Sequence, residues 1–123
     1  MELNLDTSEG HYQIRAYTKD FIQINEQKIR HSLIVMPDKL IDPWSPHSIA
    51  DLTAKDLQKI IDLQPSIVLL GSGEKLAFPP PQLLNAFYQQ KIGIEVMNNG
   101  AACRTYTVLM SEGRKVAAAL LIA

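Results

Sequence analysis

Apolar and polar residues alternate through Tyr12, Ile14 and Ala16 and, less strictly, through Phe21, Ile22 and Ile24; a polar turn at residues 25–27 then leads into the apolar run of residues 29–36. A period of two puts successive side chains on opposite faces of an extended chain, so this stretch predicts three antiparallel leading strands. Pro37 closes the last of them. Residues 38–48 hold Pro43, Trp44 and Pro46, a spacing that forbids regular helix and predicts an ordered loop.

After Leu52 the pattern changes to the helical period. Thr53 followed by Asp56 has the form of a capping box, and Leu52 and Leu57 stand where a hydrophobic staple closes. Leu57, Ile60 and Ile61 form the apolar stripe of a first helix, with Lys55, Gln58 and Lys59 opposite and Pro65 ending it. Ile67, Val68, Leu69 and Leu70 show no alternation, as in a strand covered on both faces, and Gly71, Ser72 and Gly73 break it. Pro79, Pro80 and Pro81 lead into a second helix, with Leu84, Phe87 and Tyr88 as its inward face and Gly93 positioned to end it. Ile94 and Val96 make a short strand. Ala102, Tyr106, Leu109 and Met110 stripe a third helix, Gly113 takes the left-handed position after it, and residues 116–122 form a final buried strand.

Strands followed by alternating helix and strand define an α/β layer sandwich with a leading hairpin to one side. If strands 67–70 and 94–96 are parallel neighbours, the turns at residues 71–73 and 98–100 emerge at the same carboxyl edge, where open α/β sheets hold ligands.

Composition narrows the function classes. A chain of 123 residues, 46% of them hydrophobic, fits one domain over residues 1–123 with one real core. Twelve basic against thirteen acidic residues leave a net charge of -1, so the electrostatic term that dominates nucleic-acid binding has no global source and no nucleic-acid partner is expected. The longest apolar run, residues 116–123, falls far short of the roughly 20 residues a membrane helix requires. Residues 1–10 carry Glu2, Asp6 and Glu9 and neither a basic nor an apolar segment, so no presequence is read there. The expected setting is cytoplasmic, without membrane insertion. The single cysteine excludes an internal disulfide and a four-cysteine zinc site, and His11, His31 and His47 lack ligand spacing, although His47 follows Asp42 closely; no metal and no other cofactor is expected.

Two turns carry the candidate chemistry. Gly71, Ser72 and Gly73 invite comparison with a dinucleotide loop, yet the third glycine is absent and prolines follow instead of a helix; a tight strand exit or a backbone cradle for another anion accounts for them as well. Asn98, Asn99 and Gly100 stand before Ala101, Ala102, Cys103 and Arg104 at a helix start. Exposed amides and the helix dipole there favour an anion, and Arg104 adds a two-pronged donor. The same field would lower the pKa of Cys103 and make it nucleophilic, whereas a cysteine beside alanines also serves as a packing residue. Asn98 and Asn99 equally serve as turn and cap residues. The candidate ligand set is therefore Gly71, Ser72, Gly73, Asn98, Asn99, Cys103 and Arg104. Trp44, between two prolines, is read as a loop anchor or as an interaction hot spot. No acid–base or nucleophile constellation specifies a reaction, so no catalytic residue is named.

Leu69, Leu70, Gly71, Ser72 and Gly73, then residues 93–96, then Ala102, Cys103, Arg104, Thr105 and Tyr106, then Glu112, Gly113, Arg114 and residues 117–120 together resemble the Mth-type conserved domain family, over nearly the whole chain. The resemblance implies a single three-layer α/β domain around a mixed central sheet, with the last strand antiparallel to its neighbours. It also implies a function, because the family's relatives include an adipogenesis-associated protein and a respiratory complex I assembly factor that acts without catalysis. The expected role is a nonenzymatic interaction or assembly domain with a protein partner, such as a respiratory complex component, and with room for a weak homodimer. The alternative is a small anionic-ligand-binding protein or thiol enzyme at the carboxyl edge. The chain departs from the family pattern at Asn99, where threonine is usual, at Ala101, where asparagine is common, and at Thr107, where asparagine normally follows the aromatic residue. The first change keeps a capping group; the other two remove amides that a shared catalytic site would use.

Overall fold

The computed structural model describes residues 11–123; the acidic segment read for a presequence, residues 1–10, lies outside them. The leading alternation forms a small antiparallel sheet of β1 (Ile14–Tyr17), β2 (Ile22–Ile24) and β3 (Gln27–Ile29), in that order. Next come β4 (Leu33–Met36), β5 (Lys39–Ile41), α1 (Ala54–Asp62), β6 (Ile67–Gly71), α2 (Pro81–Gln89), β7 (Gly93–Met97), α3 (Asn99–Ser111) and β8 (Val116–Leu120). Five of these strands make a mixed central sheet ordered β5-β4-β8-β6-β7.

Pleat alternation in the central strands generates two cores. Ile34 and Met36 of β4, Val68 and Leu70 of β6, and Ala117 and Ala119 of β8 face α1 and α2, meeting Leu57, Ile60 and Phe87. Their neighbours Leu33, Val35, Leu69, Ala118 and Leu120 face the other way, meeting Ala102, Cys103 and Tyr106 of α3 and Ile22, Ile24 and Ile29 of the small sheet. Three layers result, with both sheet faces dry. The small sheet closes over α3 partly through Tyr106, whose buried hydroxyl donates to the Tyr12 carbonyl at 2.7 Å.

α1 forms as the sequence predicts. Thr53 Oγ1 accepts from the Asp56 amide at 3.2 Å while Asp56 Oδ2 accepts from the Thr53 amide at 3.0 Å, completing the capping box. Leu52 and Leu57 are both buried in the same core. Gly113 has φ 78 beyond α3, as expected of a left-handed helix stop.

Several expectations are corrected. Among the described residues the leading region holds five strands, because residues 29–36 are not continuous: the run breaks at residues 30–32, where the Ser32 carbonyl accepts from the Trp44 amide at 2.8 Å and the Ser32 hydroxyl accepts from the Ile122 amide at 2.9 Å. The proline-bearing segment after residue 38 begins with β5, which pairs antiparallel with β4 before the prolines intervene. Phe87 of α2 turns inward as expected, but Leu83 and Ala86 accompany it in place of Leu84 and Tyr88; Tyr88 is 59% exposed. That helix ends at Gln89, with Lys91 in the left-handed conformation at φ 59, so Gly93 opens β7 instead of stopping the helix. The last strand is antiparallel only to β4. It runs parallel to β6, because the helical crossover through α3 returns the chain in the direction of β7.

Candidate functional site

Parallel pairing of β6 with β7 brings the two glycine- and asparagine-bearing turns to one edge. There the chain binds itself closely. The Ser72 amide donates to the Met97 carbonyl at 2.8 Å, the Asn99 amide to the Gly73 carbonyl at 2.8 Å, and the Gly73 amide to Asn99 Oδ1 at 3.0 Å. Asn99 Nδ2 donates to the Leu121 carbonyl at 2.9 Å, and the Leu121 amide to the Gly71 carbonyl at 3.1 Å. Asn99, only 8% exposed, thus joins the β6 exit, the α3 start and the extension of β8.

The glycines follow from this stitching. A Cβ on Gly71 would collide with Asn99 Oδ1 and lie 2.7 Å from Leu120 Cδ2, so residue 71 is glycine for close approach. Gly73 has φ 104, a conformation that side-chain-bearing residues rarely adopt. Gly100 accommodates Tyr17, whose hydroxyl would sit 3.0 Å from an added Cβ.

Most other polar groups of the candidate set are likewise engaged. Asn98 caps α3, its Oδ1 accepting from the Ala101 amide at 2.9 Å. Ser72 Oγ donates to the Lys75 carbonyl at 2.7 Å and accepts from the Ala77 amide at 3.2 Å, closing the loop after β6. Arg104 stands apart: its Nη1 donates to the Tyr17 hydroxyl at 2.8 Å, and among the described residues it makes no ion pair. It lies on a cleft of about 630 Å³ shared with Tyr17, Lys19, His47, Ser72 and Asn98, and lined also by the carboxylates of Asp20 and Glu74.

Cys103 and Arg104, adjacent in sequence, diverge in space. The thiol packs into the core beside α3 and is 3% exposed. Burial pushes its pKa up to about 12, outweighing the opposing pull of Arg104. The lowered pKa expected at a helix start is therefore corrected, and the thiol is neutral near pH 7. Of the two readings of Trp44 the geometry matches the loop anchor: it is 2% exposed, and its indole nitrogen donates to the Asp56 carbonyl of α1 at 3.2 Å. Asp42 pairs with His31, Nε2 to Oδ1 2.9 Å, and not with His47, whose amide donates to Asp51 Oδ2 at 3.0 Å.

Sequence reasoning missed Tyr17 as the partner of Arg104. The two are 87 positions apart and no local pattern connects them. Among the described residues no helix is long and apolar enough to cross a membrane.

Fold and edge together define a three-layer α/β domain whose carboxyl edge is held by its own side chains. Residues 14–121 match the family described as a protein of unknown function (DUF498/DUF598), and the chain belongs to that family, which takes in Mth938-like domains and is related to respiratory complex I assembly factors. A curated relative from Xenopus tropicalis, NADH dehydrogenase (ubiquinone) 1 alpha subcomplex assembly factor 3, is 31% identical across 97% of this chain and 65% of its own length. The chain thus spans just under two thirds of that relative. A Francisella tularensis relative named 13 kDa major membrane protein is 26% identical across 87% of this chain and 88% of its own. Among solved structures, a Xanthomonas campestris protein superposes with a TM-score of 0.84 at 39% identity, covering 99% of this chain and 92% of that one. A Bordetella pertussis protein described as a Mth938-like domain gives 0.83 at 27% identity, covering 98% and 92%.

Proposed function

We propose that this chain works as one nonenzymatic interaction domain in the assembly of a respiratory complex, with a protein component of that complex as its partner. The observation that carries this reading is the similarity to complex I assembly factor 3 along 97% of the chain. The edge geometry supports it. Gly71, Ser72, Gly73, Asn98 and Asn99 serve as the scaffold of the cleft, Cys103 as a packing residue and Arg104 as a cation on the cleft wall. A neutral buried thiol is poorly suited to nucleophilic attack, which weighs against the thiol-enzyme alternative.

Deletion of the gene in its native cell, with complex I followed on native gels and an affinity-tagged copy purified in parallel, tests the role. The expected result is a loss of assembled complex, accumulation of subassemblies, and co-purification of their subunits with the tagged chain. Unaltered complex levels with no reproducible partner would overturn the proposal. The proposed setting is the cytoplasm, and recovery of the tagged protein solely with the salt-washed membrane fraction would contradict it.

A further inference from the structure

On the small sheet, alternation turns Ile22, Ile24 and Ile29 into the core and leaves Gln23 of β2 and Lys28 of β3, which pair across the strands, on the opposite face. Phe21 and Arg30, one residue beyond Ile22 and Ile29, continue that outward alternation. The Lys28 ammonium lies 5.0 Å from the Phe21 ring centroid and the Arg30 guanidinium 5.4 Å from the same centroid. Two exposed cations are therefore gathered on one aromatic ring. Between residues 11 and 30 the carboxylates are Asp20 and Glu26, and neither forms an ion pair with Lys28 or Arg30.

The ring holds both cations by favourable contacts, and an anion of matching spacing would meet two of them at once. Like charges side by side repel, while the ring restricts both side chains and reduces the ordering that a ligand has to impose. Lys28 and Arg30 lie two residues apart on extended backbone, a spacing of roughly 7 Å, which alternate side chains of an extended peptide reproduce.

We propose that this outer face, at Lys28, Arg30 and Phe21, docks an acidic segment of a protein partner in extended conformation, with carboxylates two residues apart. A protein segment fits better than a bilayer, because recognition of anionic lipid draws on clusters of roughly four to eight cations and this face concentrates two. It fits better than nucleic acid because the net charge of the chain is -1. The inference rests on the assembly reading, yet the two fail separately: one is read as peptide binding by the purified chain, the other as complex assembly in the cell.

The probe is a fluorescein-labelled peptide of alternating glutamate and serine, followed by anisotropy with the full chain. A peptide with the same number of glutamates, each separated by two serines so that no two lie two residues apart, serves as the spacing control. Binding is expected to weaken about tenfold in Lys28→Glu/Arg30→Glu, and to fall steeply as salt shortens the screening length. Lys55→Glu/Lys59→Glu on α1 is expected to bind as the parent does. Phe21→Leu, which keeps both charges and removes the ring, is expected to weaken binding about threefold. Should the double reversal impair folding, Lys28→Gln/Arg30→Gln carries the same prediction with a smaller loss. Binding indifferent to these changes, or equally tight to the peptide with glutamates three residues apart, overturns the proposal. So does capture of the chain by phosphatidylglycerol vesicles without binding of the alternating peptide.

Discussion

Asn99 and Gly73 hold each other through two hydrogen bonds, the Asn99 amide donating to the Gly73 carbonyl at 2.8 Å and the Gly73 amide donating to Asn99 Oδ1 at 3.0 Å. This reciprocal pair fastens the start of α3 to the exit of β6. With Nδ2 on the Leu121 carbonyl, one side chain fixes three chain segments.

Replacing Asn99 with Ala leaves the Gly73 amide without its side-chain acceptor and the Leu121 carbonyl without its side-chain donor, so a loss of about 2–3 kcal/mol is expected. Urea denaturation of the purified chain measures it. Threonine can accept one bond and donate another, and Asn99→Thr is expected to retain about 1 kcal/mol of that loss. Stability of Asn99→Ala equal to that of the parent would show that the side-chain bridge contributes nothing.

Gly71→Ala places a methyl against the Asn99 side chain and Leu120, and overpacking of this kind costs about 1–3 kcal/mol. Part of the clash disappears when residue 99 is also shortened. The double variant with Asn99→Ala is therefore expected to be about 1 kcal/mol more stable than the sum of the single changes predicts. Strict additivity would place the strain at Leu120 alone.

Burial raises the Cys103 pKa from the ordinary 9.0 to about 12, so the folded chain holds this proton more tightly than the unfolded chain. Its contribution to stability is fully present below pH 9 and is lost as pH rises toward about 12. Tyr106, raised first by burial and then by the charge of Asp38, acts in the same direction. Denaturation midpoints across this range should fall with pH, and fall less in Cys103→Ala. Alkylation of the folded chain near pH 8 should be far slower than of the urea-unfolded chain; comparable rates would contradict burial of the thiol.

Trp44, the sole tryptophan, should emit at short wavelength and resist acrylamide quenching until the chain unfolds. Trp44→Ala is expected to cost about 3–5 kcal/mol, because it empties a fully packed site and frees the Asp56 carbonyl. Strong quenching in the native state would restore Trp44 as a surface residue.

Much of the fold was legible in local pattern. The Thr53 and Asp56 capping box, the stripe of Leu57, Ile60 and Ile61, the unbroken apolar run of β6 and the glycine stop after α3 each depend on residues a few positions apart, and each formed as read. The candidate site was legible only as a location. Parallel pairing, the condition on which the shared edge was read, brought Gly71, Ser72 and Gly73 to Asn98 and Asn99. The direction of β8 beside β4, the inward face of α2 and the pairing of Asp42 with His31 depended on which elements became neighbours, and local spacing holds no record of that.

By itself, then, the sequence determined the layer class and the caps of α1 and α3, because propensity, capping and amphipathic period are short-range effects. Only the tertiary structure decided what the polar groups at the carboxyl edge do. Asn99 became a buried bridge, Cys103 a neutral packing thiol and Arg104 a cation oriented by Tyr17, since desolvation and partners from distant strands, not position on a helix, set the state of a side chain.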